Sequence, residues 1–159
     1  MNPFDPKTAL LAKHAQHVVL IHFPIALFLT GVAFDFAAHW LDKAANEVNR
    51  KKSSTLFAAA RLNLLAAAVF VLPTLVTGIA AWRWQLEGQK LKGLLLLHLT
   101  LGLTSALLIC LVAWIHFRHK RTPAPAHPRY RLPLELLTAA VVGLTAHIGG
   151  FLSGVNLPS

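Results

Sequence analysis

Five of the nine histidines in this chain lie inside long apolar runs, and three of the five are the main candidates for chemistry. They are His22, His98 and His147. An ionisable side chain costs free energy in hydrocarbon, so a histidine inside a membrane segment is a functional candidate by default. Imidazole nitrogens bind haem iron, and they also bind copper, zinc and non-haem iron. The sequence therefore contains donor atoms for an intramembrane haem or metal site.

Four apolar runs must position these histidines, at approximately residues 18–40, 56–81, 93–117 and 132–152. Each approaches or exceeds the roughly 20 residues that a helix needs to cross a bilayer, whereas a barrel strand needs only about 10. Apolar residues make up 55% of the chain and charged residues 13%, which is typical of a membrane protein. We predict an all-α membrane protein with one domain, residues 1–159, folded as a bundle of four transmembrane helices.

The distribution of basic residues predicts how this bundle is oriented in the membrane, because ten of the fifteen lie in or beside the first and third connections. The excess of positive charge predicts that these connections are cytoplasmic and that both termini are periplasmic, in the inner membrane of a bacterium. The formal charge of +9 is then explained by topology and by anionic lipid, and nucleic acid is not expected as a partner. Asp5 and Pro6 are typical of a helix start, which predicts a short interfacial helix before the first span.

In this orientation the three histidines lie at one depth. Each is four or five residues from the periplasmic end of its run, or roughly 6–8 Å below the boundary at 1.5 Å per residue. Glycines one turn away share the helix faces of His98 and His147; they are Gly102, Gly143 and Gly150. Faces of small residues let helices pack closely, and they would also make room for a flat macrocycle.

These features favour a haem b whose ligands are His98 and His147. His22 is a third candidate, which either replaces one ligand or hydrogen-bonds a ligand or a quinone. Arg83 is expected at the same surface, where a guanidinium suits the propionates of haem. The predicted function is that of a b-type cytochrome or haem-bearing subunit, which passes electrons between a periplasmic redox partner and the quinone pool. We expect an electron-transfer subunit rather than a stand-alone enzyme.

Two alternatives use the same histidines. Three imidazoles also suit a non-haem copper, zinc or iron ion. They would equally serve as hydrogen-bond partners between helices in a structural anchor subunit of a larger respiratory or photosynthetic complex. His14 and His17 are predicted at the membrane interface. Cys110 is predicted to pack as a small apolar residue.

The cytoplasmic half carries Asp35 and Arg61 at matched depths of the first and second helices. An unpaired charge there would be costly, so we predict a structural ion pair between them. His39, one turn beyond Asp35, could join this pair. The functional alternative is a proton route from the cytoplasm to a quinone. A second haem, held by His39 with His116 or His119, is less favoured because these residues lie near the interface without glycine-rich faces.

The segment HVVLIHFPIALFLTGVAFDF, residues 17–36, carries a resemblance to a known family. It is similar to the bacterial membrane family catalogued as number 2231 among domains of unknown function. That family has a histidine, a His-Phe-Pro-Ile-Ala-Leu motif five residues later, and then an aspartate, which here are His17, residues 22–27 and Asp35. Arg61, Gly78 and the segment GGFLSGVNL also look similar. The resemblance implies four helices and a redox setting, since similar domains occur fused to Rieske iron–sulfur modules. The partner we expect is a Rieske-type protein, a periplasmic cytochrome or a larger membrane complex.

Overall fold

Four α-helices account for nearly all of the chain that is described in the computed structural model, which covers residues 15–43, 46–118 and 130–153. We number them α1 (Ala15–Lys43), α2 (Glu47–Gln85), α3 (Gly93–Arg118) and α4 (Arg131–Leu152). All four are long and apolar enough to cross a membrane, and the described ranges contain no strand. The prediction of an all-α bundle of four transmembrane helices is confirmed. The predicted interfacial helix lies outside the described residues.

The second helix is longer than its apolar run indicated. It has 39 residues, which corresponds to about 58 Å at 1.5 Å per residue, nearly twice the bilayer core of about 30 Å. Its first nine residues are mostly polar, so a search for apolar runs passes over them. Asn46 starts the helix, because its side chain accepts a 2.7 Å hydrogen bond from the backbone N–H of Asn49. Hydropathy therefore located the span but not the true beginning of α2.

Replacing Asn46 by alanine should loosen this first turn. The cap satisfies one of the backbone N–H groups that have no partner inside a helix, and its loss typically costs about 1 kcal/mol. We expect faster hydrogen exchange at residues 47–50 and little change in the apolar part of α2. Ser54→Ala, at an exposed position in the same helix, is the control. Equal exchange in the two variants would show that Asn46 does not hold the start of α2.

The first two helices form an antiparallel pair that is in contact along most of α1. At one end Ser53 donates a 2.9 Å hydrogen bond to the carbonyl of Ala38. At the other end Nδ1 of His17 lies 3.3 Å from the hydroxyl of Thr77. Between these contacts Gly31 lets the two backbones approach closely, since a Cβ atom placed there would overlap α2. Helices α3 and α4 are also antiparallel, with a 2.9 Å contact between the hydroxyls of Ser105 and Thr145.

The bundle has polar groups towards both ends and an apolar core between them. We call the end where α1 and α3 finish and α2 and α4 begin the basic end, after the Lys and Arg residues there. The core contains side chains from all four helices: Phe28, Val32, Leu64, Ala67, Val71, Ile109, Val112 and Val142. Apolar side chains therefore separate the polar contacts near the basic end from those near the opposite end.

Candidate metal centre

Four ionisable side chains come together inside the bundle near the basic end. Asp35 from α1 and Glu135 from α4 are both 0% exposed, His116 from α3 is 1% exposed, and Arg131 from α4 is 6% exposed. We call these four residues the buried ionic cluster. Charged groups removed from water are retained only where they are paired and hydrogen-bonded. The contacts within the cluster therefore decide what it can do.

Arg131 links the two carboxylates of the cluster. Its Nε lies 2.8 Å from Oδ2 of Asp35 and 3.9 Å from Oε1 of Glu135. Arg131 and Glu135 are four residues apart on α4, so they share one helix face. Nε2 of His116 lies 2.8 Å from the same Oε1 of Glu135. With a neutral imidazole, two carboxylates and one guanidinium leave one net negative charge in the cluster.

Donor atoms in this cluster converge on a small volume. One ligand atom from each of Asp35, His116 and Glu135 lies within 4.8 Å of the other two. Both carboxyl oxygens of Asp35 and Oε2 of Glu135 are buried without a hydrogen-bond donor among the described residues, and the two carboxyl groups lie against each other. Buried polar atoms without partners are rare, and each one calls for an explanation. Carboxylate oxygens with an imidazole nitrogen form a donor set for divalent first-row metals such as manganese, iron, cobalt and zinc.

The second helix supplies no ligand atom but closes the cluster with Phe57. The ring of Phe57 stacks on the imidazole of His116, with centroids 5.5 Å apart and planes 27° apart. The guanidinium carbon of Arg131 lies 5.3 Å from the centroid of the same ring. A single aromatic side chain therefore contacts both the imidazole and the guanidinium. These contacts restrict the orientations of both groups.

The structure gives Asp35 a different partner from the one predicted. Asp35 pairs with Arg131, whereas Arg61 makes no ion pair within the described residues. Arg61 lies one turn beyond Phe57, and Phe57 faces α3. Helix α1 instead contacts α2 through Ser53, Ala60 and Leu64. The depth of Arg61 in the membrane could be counted along the sequence. The rotation of α2 about its own axis, which decides what Arg61 faces, could not be predicted in this way.

The three histidines predicted as ligands do not share one space in the structure. His22 and His147 are exposed on the surface of the bundle. Nδ1 of His22 lies 2.6 Å from the carbonyl oxygen of Val18 in its own helix. The ring of His147 stands edge-on to Phe151, with centroids 4.9 Å apart. Only His98 turns its ring into the bundle, so ligation by this set stays a prediction.

A different pair of histidines is brought together at the end opposite the basic end. His17 and His98 are close enough to interact electrostatically. Each ring packs against a glycine of a neighbouring helix. A Cβ atom on Gly78 would lie 3.0 Å from Cε1 of His17, and one on Gly149 would lie 2.9 Å from Cε1 of His98. The space that these two glycines provide is therefore filled by imidazole rings.

The other predicted site residues lie in varied surroundings. A Cβ atom on Gly102 would meet the methyl group of Thr145 at 4.0 Å, whereas one on Gly143 would meet no atom within 4 Å. Gly150 is half-buried in the last turn of α4, and Arg83 is exposed near the end of α2.

Sequence reasoning missed Glu135 as a site residue and treated Arg131 only as a topology signal. A signal was present, because Asp35 and Glu135 are the only acidic residues inside the four apolar runs. Arg131 precedes Glu135 by four residues, a spacing that puts opposite charges on one helix face. Intramembrane acids are functional candidates by default, so these two residues could have been paired from sequence.

Comparison with known proteins agrees with this architecture. The family model described as "Predicted membrane protein (DUF2231)" matches residues 13–155. The chain belongs to the DUF2231 family. The matched region of this DUF2231 protein contains the buried ionic cluster and the pair formed by His17 and His98. No curated protein and no solved structure matches the chain. The family description gives membrane location but no activity, so the function must be argued from the geometry.

Proposed function

We propose that this protein is a membrane-embedded metal-binding protein whose ligands are Asp35, His116 and Glu135. One observation carries the proposal: donor atoms from three different helices lie within 4.8 Å of one another, on side chains that are 0–1% exposed. The ligands are thus assembled by the fold rather than by one segment of the chain. The bound ion would tie α1, α3 and α4 together near the basic end.

The charge of the cluster supports a cation at this position. With a neutral imidazole and both carboxyl groups ionised, the cluster has one net negative charge, and a charge of either sign is costly in a medium of low dielectric constant. A cation between the carboxylates would give a partner to Oδ1 of Asp35 and Oε2 of Glu135, which lack a hydrogen-bond donor among the described residues. The imidazole of His116 favours a divalent transition metal over magnesium or calcium, because those two ions prefer oxygen donors.

Arg131 would then orient a ligand rather than bind the ion. Its Nε contacts Oδ2 of Asp35 at 2.8 Å, which leaves Oδ1 available for the metal. Groups that hold a ligand in place in this way commonly tune metal affinity by 10- to 100-fold. Phe57 would act in a similar way on His116, because it limits the orientation of that ring.

Electron transfer by a haem on the opposite half is a separate proposal. It requires two of the three histidines to face one space, with His98 and His147 as the favoured pair, and His147 and His22 are exposed on the bundle surface. A quinone, a Rieske-type protein or a periplasmic cytochrome as partner is proposed only from the histidine pattern and the family resemblance. The bacterial inner membrane, with both termini outside, is likewise proposed from the distribution of basic residues.

Metal titration of the purified protein tests the proposed centre. After treatment with a chelator, we expect one Co²⁺ per chain, with visible absorption bands from the bound ion. Glu135→Gln and His116→Gln should each weaken Co²⁺ binding by at least about 10-fold, since the first replaces a charged carboxylate by a neutral amide and the second removes the imidazole. His22→Ala and His147→Ala are matched controls, because both rings are exposed.

Two results would count against the proposed centre. Wild-type protein that binds no metal would reject it. If Glu135→Gln left the metal affinity unchanged and His147→Ala abolished it, the metal site would lie in the half of the bundle opposite the basic end. A sharp reduced haem band that disappears in His147→Ala would support the electron-transfer proposal instead.

A further inference from the structure

Arg61 has no anionic partner within the protein's described residues. It lies inside the apolar span of α2, forms no ion pair with a carboxylate, and has a buried Nε without a hydrogen-bond partner in that part of the chain. A guanidinium is always charged, and a charge at membrane depth is costly unless it is paired. Its partner is therefore expected to come from outside the described part of the chain.

The position of Arg61 relates it to the buried ionic cluster. Residues four apart on a helix share a face, so Arg61 projects from the same side of α2 as Phe57. Phe57 stacks on His116, one of the three proposed metal ligands. Arg61 thus lies one helical turn from the residue that closes the cluster.

The net charge expected when the metal is bound also favours an anion at this site. Two carboxylates, Arg131 and a divalent ion together leave one positive charge, and Arg61 adds a second. Three protein ligands are fewer than the four to six that a first-row metal takes, so the ion retains an open position. An open position on a cation near an unpaired guanidinium is suited to a ligand with two oxygens.

We propose that the metal centre binds a small oxyanion, a carboxylate or phosphate group, which coordinates the ion and pairs with Arg61. This inference rests on the proposed metal site. Arginine presents two parallel N–H groups that match the oxygens of either anion, which lysine cannot reproduce. The group can belong to a free anion or to the headgroup of an anionic lipid, and the two sources are separable by experiment.

Anion titration of the Co²⁺-loaded protein in detergent tests this inference. We expect formate and inorganic phosphate to shift the visible bands of the bound ion. Arg61→Gln should weaken anion binding by at least about 10-fold and leave Co²⁺ affinity undiminished, whereas Arg61→Lys should recover part of the loss. Arg50→Gln removes an exposed arginine from the same helix and should change neither property.

The outcomes separate this inference from the metal site itself. The protein could bind Co²⁺ while neither anion shifts the visible bands, or while Arg61→Gln shows the same shift as the wild type. Either result would overturn the anion site and leave the metal site standing. Absence of Co²⁺ binding would overturn both. In nanodiscs, loss of the formate response of the wild-type protein when phosphatidylglycerol replaces phosphatidylcholine would identify the headgroup of an anionic lipid as the occupant.

Discussion

Replacing Asp35 by leucine is expected to destabilise the metal-free protein by about 3–5 kcal/mol, the usual result of removing one partner from a buried ion pair. The substitution leaves Arg131 buried, with only the more distant carboxylate of Glu135 at 3.9 Å. The double variant Asp35→Leu/Arg131→Met should recover most of the loss, because it removes the stranded charge as well. Unfolding in mixed detergent, followed by circular dichroism with chelator present, would measure both.

The control for this experiment is Asp42→Asn, at a half-buried position near the end of α1. We expect a change within about 0.5 kcal/mol there, as for most substitutions away from buried networks. If Asp35→Leu cost no more than Asp42→Asn, the ion pair would not stabilise the fold. If the double variant were less stable than Asp35→Leu alone, Arg131 would have a stabilising contact other than Asp35.

Replacing Gly31 by leucine is expected to separate α1 from α2 and to cost about 3 kcal/mol, at the upper end for overpacked positions. A Cβ atom at Gly31 would lie 2.8 Å from Cγ of Leu64 and 3.2 Å from the backbone oxygen of Ala60. Leu64 is fully buried and a backbone carbonyl cannot move aside, so the helices must shift. Leucine is a good helix former, and helix propensity therefore cannot explain the loss.

Gly143→Leu is the matched control, because it makes the same change in a transmembrane helix. A Cβ atom at Gly143 meets nothing within 4 Å, so we expect a change within about 0.5 kcal/mol or a small gain in stability. Thermal unfolding in one detergent would compare the two variants. Equal stabilities would show that the close approach of α1 and α2 at Gly31 is not maintained in solution.

The fold was predictable because membrane helices have a simple sequence pattern. Each span needs a long apolar run, and the four runs gave the number and type of elements. The polar beginning of α2 was not predictable in this way, because residues outside the hydrocarbon need not be apolar to be helical. There a cap, Asn46, decides where the helix begins.

The candidate site was predictable only in part, because depth can be counted from sequence but rotation about a helix axis cannot. Asp35 was correctly expected to need a partner, yet its partner came from α4 rather than from Arg61. The same difficulty affected the histidines. His22 and His147 were placed by depth beside His98, but in the structure their rings are exposed. Helix rotation depends on side-chain packing around the whole bundle, which short-range spacing does not contain.

The shortness of α4 has a consequence for how lipids would influence this protein. With 22 residues, α4 is about 33 Å long and only just matches a bilayer core of about 30 Å. Arg131 is its first residue, so one end of this barely sufficient helix is anchored to Asp35. In a thicker bilayer α2 has length to spare, but α4 has none, and hydrophobic mismatch would act on the ion pair itself. The length of the lipid acyl chains should therefore change the strength of the ion pair between Arg131 and Asp35, even when the bound ligands stay the same.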